Sequence, residues 1–162
     1  MATHPVPLIV PPGEGKSIAV VGDVYTYLAT GDDTNDQYAL FHAVVPPGGG
    51  PPPHSHSRED EQFYVLEGEI TFFADGKKIV GGPGTFLHLP KGSLHAFKNE
   101  GSKVAKMLIQ VIPSGLEKMF EEVGQAVSGP TAAPPPVTQE EISKLLAAAP
   151  RYGIEIRLPD GH

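Results

Sequence analysis

The sequence predicts an all-β fold, a small antiparallel barrel with short helices after it, and three observations predict it. Short apolar runs recur between turn residues, and 19 Gly and 18 Pro in 162 residues favour many turns over long helices. Asp75-Gly76, set between ITFFA and KKIV, is a two-residue hairpin signal. His54, His56, Glu61 and His95 lie on three separate segments, and they share a cation only if those segments face one interior.

Residues 1–16 are Pro-rich and read as an arm lying on the surface or on a partner subunit. From Ser17, SIAVVGDVYTYLATG alternates as two short strands broken at Gly22-Asp23, and residues 30–36 (TGDDTND) read as an Asx-rich turn. Residues 38–45 (YALFHAVV) form a core strand. Residues 46–53 hold five prolines and three glycines, cannot pair as a central strand, and read as a loop. Strands are then expected on either side of Glu67-Gly68, after Asp75-Gly76, at 85–89, at 94–98 and at 104–112, where the barrel ends.

After Pro113 the pattern changes. Ser114 with Glu117 reads as a capping box opening LEKMFEEVGQAV, a helix ended near Gly124 or Gly129. Residues 131–137 (TAAPPPV) form a stiff linker. Thr138 with Glu141 opens a second helix, QEEISKLLAAA, which Pro150 stops; Ile142, Leu145 and Leu146 give it a docking face. The division is thus an arm at 1–16, a barrel at 17–112, and a helical, Pro-rich C-terminal arm at 113–162, with no internal repeat.

Composition excludes several function classes. Hydrophobic residues make up 40% of the chain, enough for a core. Twelve basic against 19 acidic side chains leave a net charge of -7, which disfavours nucleic acid and anionic membrane surfaces. No cysteine is present, so disulfides, thiolate metal sites and Cys nucleophiles are out. The first twelve residues do not read as a signal peptide, and no apolar stretch approaches the ~20 residues of a membrane span. A soluble, cytoplasmic protein is expected, with a small molecule as partner. Pro-rich arms that cover strand edges lead us to expect a homodimer.

The chemistry lies in residues 48–99. His54 and His56 are two apart, so a strand sends both from one face. Residues 57–60 read as a polar bend, and Glu61 heads the next strand with Phe63 and Val65 on its face. Asp60 is the rival to Glu61, but a shift of one residue turns a side chain to the other sheet face. Three imidazoles and a carboxylate suit divalent iron, nickel, manganese or zinc. His88 reads as a half-exposed strand histidine, with cavity lining as the alternative, and His42 shares that doubt. His4 and His162 read as solvated ends. Tyr64, of opposite parity to Glu61, should face away. Phe63, Val65, Phe73, Phe86 and Phe97 are candidate pocket walls, each otherwise plain core. Ser93 and Thr85 lack a base at a telling distance, so nucleophilic catalysis has no support.

Here the sequence resembles the cupins. Their first motif (Gly, five residues, His-x-His, three or four residues, Glu, six residues, Gly) is matched by Gly48, His54, His56, Glu61 and Gly68. Their second motif (Gly, five residues, Pro-x-Gly, two residues, His, three residues, Asn) is matched by Gly84, Pro90, Gly92, His95 and Asn99. The resemblance covers residues 18–112, and PPGGGPPPHSHSREDE and FYVLEGE look like quercetin 2,3-dioxygenase-like single-domain cupins. It implies a jelly-roll barrel holding one metal on His54, His56, Glu61 and His95. It further implies a dioxygenase for a flavonol-like, enolisable or aromatic molecule, with Glu61 as general base. A metal-assisted isomerase or lyase acting on a carbonyl compound, or a non-catalytic ligand-binding module, is the alternative.

Overall fold

The computed structural model describes residues 5–158; His4 and His162 lie outside the described residues. The alternating runs build two antiparallel sheets that face each other across an apolar interior. In chain order the elements are β1 (Ser17–Val20), β2 (Asp23–Ala29), α1 (Gly31–Thr34), β3 (Ala39–Val45), β4 (His54–His56), β5 (Asp60–Glu67) and β6 (Ile70–Ala74). Then come β7 (Lys77–Gly81), β8 (Phe86–Leu89), β9 (His95–Lys98), β10 (Ala105–Ile112), α2 (Leu116–Val123), β11 (Gln125–Val127), α3 (Gln139–Ala148) and β12 (Ile154–Ile156). A seven-stranded sheet runs β11-β1-β2-β3-β10-β5-β8, and a five-stranded sheet runs β12-β4-β9-β6-β7. This is the jelly-roll arrangement, all-β as expected, except that hydrogen bonding does not close the two sheets into one ring.

Alternation decides which side chains fill the space between the sheets. Ala39, Phe41, Ala43 and Val45 of β3 are buried while the residues between them are not, and β10 does the same with Met107, Ile109 and Val111. Phe41, Phe63 and Phe72 are the largest fully buried side chains, and truncating one such ring costs about 3–5 kcal/mol. Gly68 joins β5 to β6 at φ 72°, and a Cβ there would come within 2.9 Å of the Val104 carbonyl. Only glycine turns the chain there without strain.

The structure corrects the sequence reading in four places. Residues 30–36 contain one helical turn, α1, because Asp33 folds back onto Thr30 and closes a capping box there. Ser114 caps nothing in α2, whose N-cap is Gly115. Glu117 instead turns its buried carboxylate to the N–H groups of Gly115 and Gly31 at 2.8 and 3.0 Å. Glu141 does not complete a box with Thr138: the Thr138 hydroxyl accepts from the Glu141 N–H, while the Glu141 carboxylate reaches Val21 N–H at 2.6 Å. That bond ties α3 to the β1–β2 turn. The fourth correction is an omission, since β11 and β12 were not foreseen; three residues are too few for a period to show. On α3 the docked residues are Leu145 and Ala148, with Ile142 half-buried and Leu146 exposed.

Thr138→Ala should cost about 1 kcal/mol in urea unfolding, the usual loss of a helix cap. Ser114→Ala should cost less than about 0.5 kcal/mol, as for a surface change that removes no cap. Equal losses would contradict this assignment of the two helix starts.

Candidate metal centre

The loop of residues 46–53 delivers the first two histidines. Gly49 N–H donates to the Pro46 carbonyl, and Asn99 and Gly49 join through Asn99 N–H. Gly50 passes so close to β9 that a Cβ there would strike the Phe97 carbonyl, and its φ is 124°. The chain then enters β4, where His54 and His56 point inward and Ser55 does not. β4 pairs with β9 so that His54 lies directly opposite His95. These three imidazoles belong to the five-stranded sheet. Glu61 comes from β5 in the seven-stranded sheet, so the two sheets meet through this cluster.

The four residues are 4–8% exposed, and each can offer one ligand atom within 4.8 Å of all the others. Glu61 Oε2 lies 2.9 Å from His56 Nε2 and 3.2 Å from His95 Nε2. The outer nitrogens explain why the Nε2 atoms face in. His54 Nδ1 donates to the Pro52 carbonyl at 2.9 Å, His95 Nδ1 to the Ser93 carbonyl at 3.1 Å, and His56 Nδ1 to Glu59 at 2.7 Å. A carbonyl or carboxylate can only accept, so each Nδ1 carries a hydrogen and the Nε2 lone pairs are left for the centre. His56 Nε2 has no well-formed hydrogen bond. Lone pairs and a carboxylate oxygen this close repel unless a positive charge sits among them. A proton serves one pair, whereas a divalent cation serves all four, so the residues fit a metal.

The electrostatics agree. Burial drives the His54 ring down to about 4, against the pull of Glu61, and so keeps it neutral. Burial also opposes charge on His56, but Glu61 and Glu59 outweigh it and lift that ring to about 10. Burial alone would raise Glu61; His56 and His95 hold it instead well below the usual carboxylate range.

A largely apolar cavity of about 90 Å³ adjoins the cluster. His54, His56 and Glu61 open onto it, and Phe97, Ile109 and, from α2, Leu116, Met119 and Phe120 line it too. Asp23 and Tyr25 of β2, Leu145 of α3 and Ile154 and Ile156 of β12 line it as well.

A family model described as a cupin domain matches residues 41–111, the stretch that holds all four residues. Residues 41–111 are a cupin domain. Quercetin 2,3-dioxygenase of Bacillus subtilis is 30% identical to this cupin over 124 residues, 76% of this chain and 36% of that one. A tetracenomycin polyketide synthase protein of Streptomyces glaucescens is 27% identical over 99 residues, 60% of this chain and 66% of that one. The cupin thus matches about a third of the first relative's length and just under two thirds of the second's. Among solved structures, a predicted oxalate decarboxylase from Thermotoga maritima superposes with a TM-score of 0.59 at 19% identity, covering 67% of this chain and 99% of that one. That likeness is one of fold.

Other candidates fall elsewhere. Asp60 faces out and accepts from Lys91 N–H at 2.9 Å, as parity required. His88 is exposed on β8 with its Nδ1 3.3 Å from the Gln62 amide nitrogen, and His42 is half-buried on the outer face of β3. Tyr64 faces solvent. Phe73 and Phe86 are exposed and do not line this cavity; Phe63 and Val65 are interior, and Phe97 lines the pocket. Sequence reasoning passed over Glu59, 4% exposed behind His56, because an acid in a polar bend looks solvated. Its one signal was the three-residue step from His56.

His54→Ala and His95→Ala should each lower metal content strongly by elemental analysis while circular dichroism shows the sheets intact. Glu59→Gln should weaken metal affinity by roughly 10–100-fold, the usual effect of losing a ligand's hydrogen-bond partner. Because His56 is protonated below about 10 in the metal-free protein, metal uptake must expel that proton. Affinity should therefore rise roughly tenfold per pH unit through the neutral range, as for displacement of one proton. A pH-independent affinity by calorimetric titration would contradict this.

Proposed function

We propose that this cupin is a metal-dependent dioxygenase acting on a small flavonol-like, or other enolisable or aromatic, molecule. The observation that carries the reading is the cluster itself: three Nε2 atoms and one carboxylate oxygen, buried, converging at the edge of a largely apolar cavity. The resemblance to the Bacillus dioxygenase supports the choice of reaction. When bound, a divalent ion at His54, His56, Glu61 and His95 would act as a Lewis acid, making a coordinated hydroxyl more acidic and stabilising its anion. Iron, nickel, manganese and zinc all accept this donor set.

The chain's own residues then have defined tasks. Pro52, Ser93 and Glu59 hold the three rings in the orientation that exposes Nε2. Phe97, Met119, Phe120 and Leu145 offer apolar surface to a planar ligand and keep water out. Glu61 is assigned to the cluster as a ligand. To act as a base as well it would have to leave two imidazoles that hold its proton affinity low, so as placed it is a weak acceptor.

Oxygen uptake with a flavonol, measured with the metal-loaded protein, tests the reading. Uptake that vanishes in His95→Ala is the expected result. Turnover of the same compound under argon would assign the site to isomerase or lyase chemistry, and binding with no turnover under either gas would make the protein a binding module.

A further inference from the structure

If Glu61 stays on the cluster, the hydroxyl proton of an enolisable ligand needs another destination, and the same cavity holds one. Asp23, at the start of β2, is 2% exposed and lines the cavity that His54, His56 and Glu61 open onto. Its Oδ2 accepts one long hydrogen bond, 3.5 Å, from the Tyr25 hydroxyl, the Gly50 N–H also stabilises its charge, and its Oδ1 has no well-formed hydrogen bond among the described residues. Among the described residues, no Lys or Arg lines the cavity. A buried carboxyl this poorly satisfied is costly to keep in a merely structural role.

The surroundings fix its position without pairing its charge: the cationic ring of the cavity, His56, is paired with Glu59 and Glu61. Gly49 packs against Oδ1 so closely that a Cβ there would strike it, but the Gly49 N–H is already given to Pro46. Tyr25, whose ring stacks on Phe120 at 4.4 Å, keeps its hydroxyl aimed at Asp23. Glu61 and Asp23 both oppose ionisation of Tyr25, and Glu141 on α3 is engaged by Val21 N–H. Burial lifts the Asp23 carboxyl to about 7, more than the Tyr25 hydroxyl and the Gly50 N–H draw it down. It therefore gains and loses a proton near neutrality, as a general base should.

We propose that Asp23 is a catalytic residue of this cavity, the acceptor of the proton that a bound ligand's hydroxyl gives up, with Tyr25 positioning its carboxyl. The ligand O–H bond breaks, the proton passes to Asp23, and the electron pair stays on the ligand oxygen; nothing is oxidised or reduced in this step. The assignment rests on the reading of the ligand as an enolisable hydroxyl compound. It places the metal ligands and the proton acceptor in the lining of one small cavity.

The test loads the full chain with Zn²⁺, which is redox-silent, and titrates 3-hydroxyflavone at about pH 8, where a base of this kind is mostly ionised. Absorption reports the ligand's ionisation, and calorimetry in two buffers of different ionisation enthalpy counts the protons released. The wild type should bind the red-shifted anion with almost no proton reaching the buffer, because the negative oxygen bound in the same cavity raises the proton affinity of Asp23 and holds the proton there. Asp23→Asn should bind the same anion and release about one proton more, the count lost with a single acceptor. Tyr25→Phe, which leaves the ring packing in place, should give an intermediate release that returns to the wild-type value when the pH is raised. Equal proton release by wild type and Asp23→Asn, or, if Asp23→Asn does not fold, by wild type and Tyr25→Phe at every pH, would overturn the assignment and leave the flavonol reading intact. No binding by any of the three proteins would overturn both.

Discussion

One buried carboxylate faces three buried imidazoles, and the rest of the molecule is arranged to tolerate that. Glu61 comes from one sheet and His54, His56 and His95 from the other, so the cluster joins the two layers at a point where apolar packing is interrupted. Isolated polar groups there would cost several kcal/mol. Each ring is satisfied on its outer side by a carbonyl or by Glu59, which leaves the inner atoms as a set whose repulsion a cation relieves. The jelly roll supplies the geometry: β4 and β9 pair with His54 opposite His95, and β5 brings Glu61 from the other sheet.

The stretch that matches the cupin model supplies the cluster, while much of the cavity is built from outside it. Asp23 and Tyr25 precede residue 41, and Leu116, Met119, Phe120, Leu145, Ile154 and Ile156 follow residue 111. Glu141 binds the β1–β2 turn, and β12 pairs with β4 itself, with Ile154 beside His56 and Ile156 beside His54. The C-terminal segment therefore touches the strand that carries two of the proposed ligands. The cluster thus lies within the common domain, and the flanking elements supply much of the cavity lining beside it.

Much of this was legible in the sequence because it depends on parity and spacing. The two-residue step of His54 and His56, the Asp75-Gly76 hairpin and the alternation in β3 and β10 each fix a face without reference to distant residues. Parity also chose Glu61 over Asp60 and turned Tyr64 outward. What stayed hidden depends on contacts between segments far apart in the chain. Glu59 and Asp23 look like loop acids until β4 and the 46–53 loop bury them. Glu117 and Glu141 look like capping partners until Gly31 and Val21 present better donors. Phe73 and Phe86 look like pocket walls because apolar character alone does not say which face of a strand is covered.

Anomalous diffraction from crystals of the protein grown with a divalent transition metal tests the central claim most directly. A single strong peak within about 2.0–2.3 Å of His54 Nε2, His56 Nε2, His95 Nε2 and a Glu61 carboxylate oxygen, the range of metal–nitrogen and metal–oxygen bonds, is the predicted result. A metal bound elsewhere, or four side chains that hold their positions around no metal at all, would contradict it.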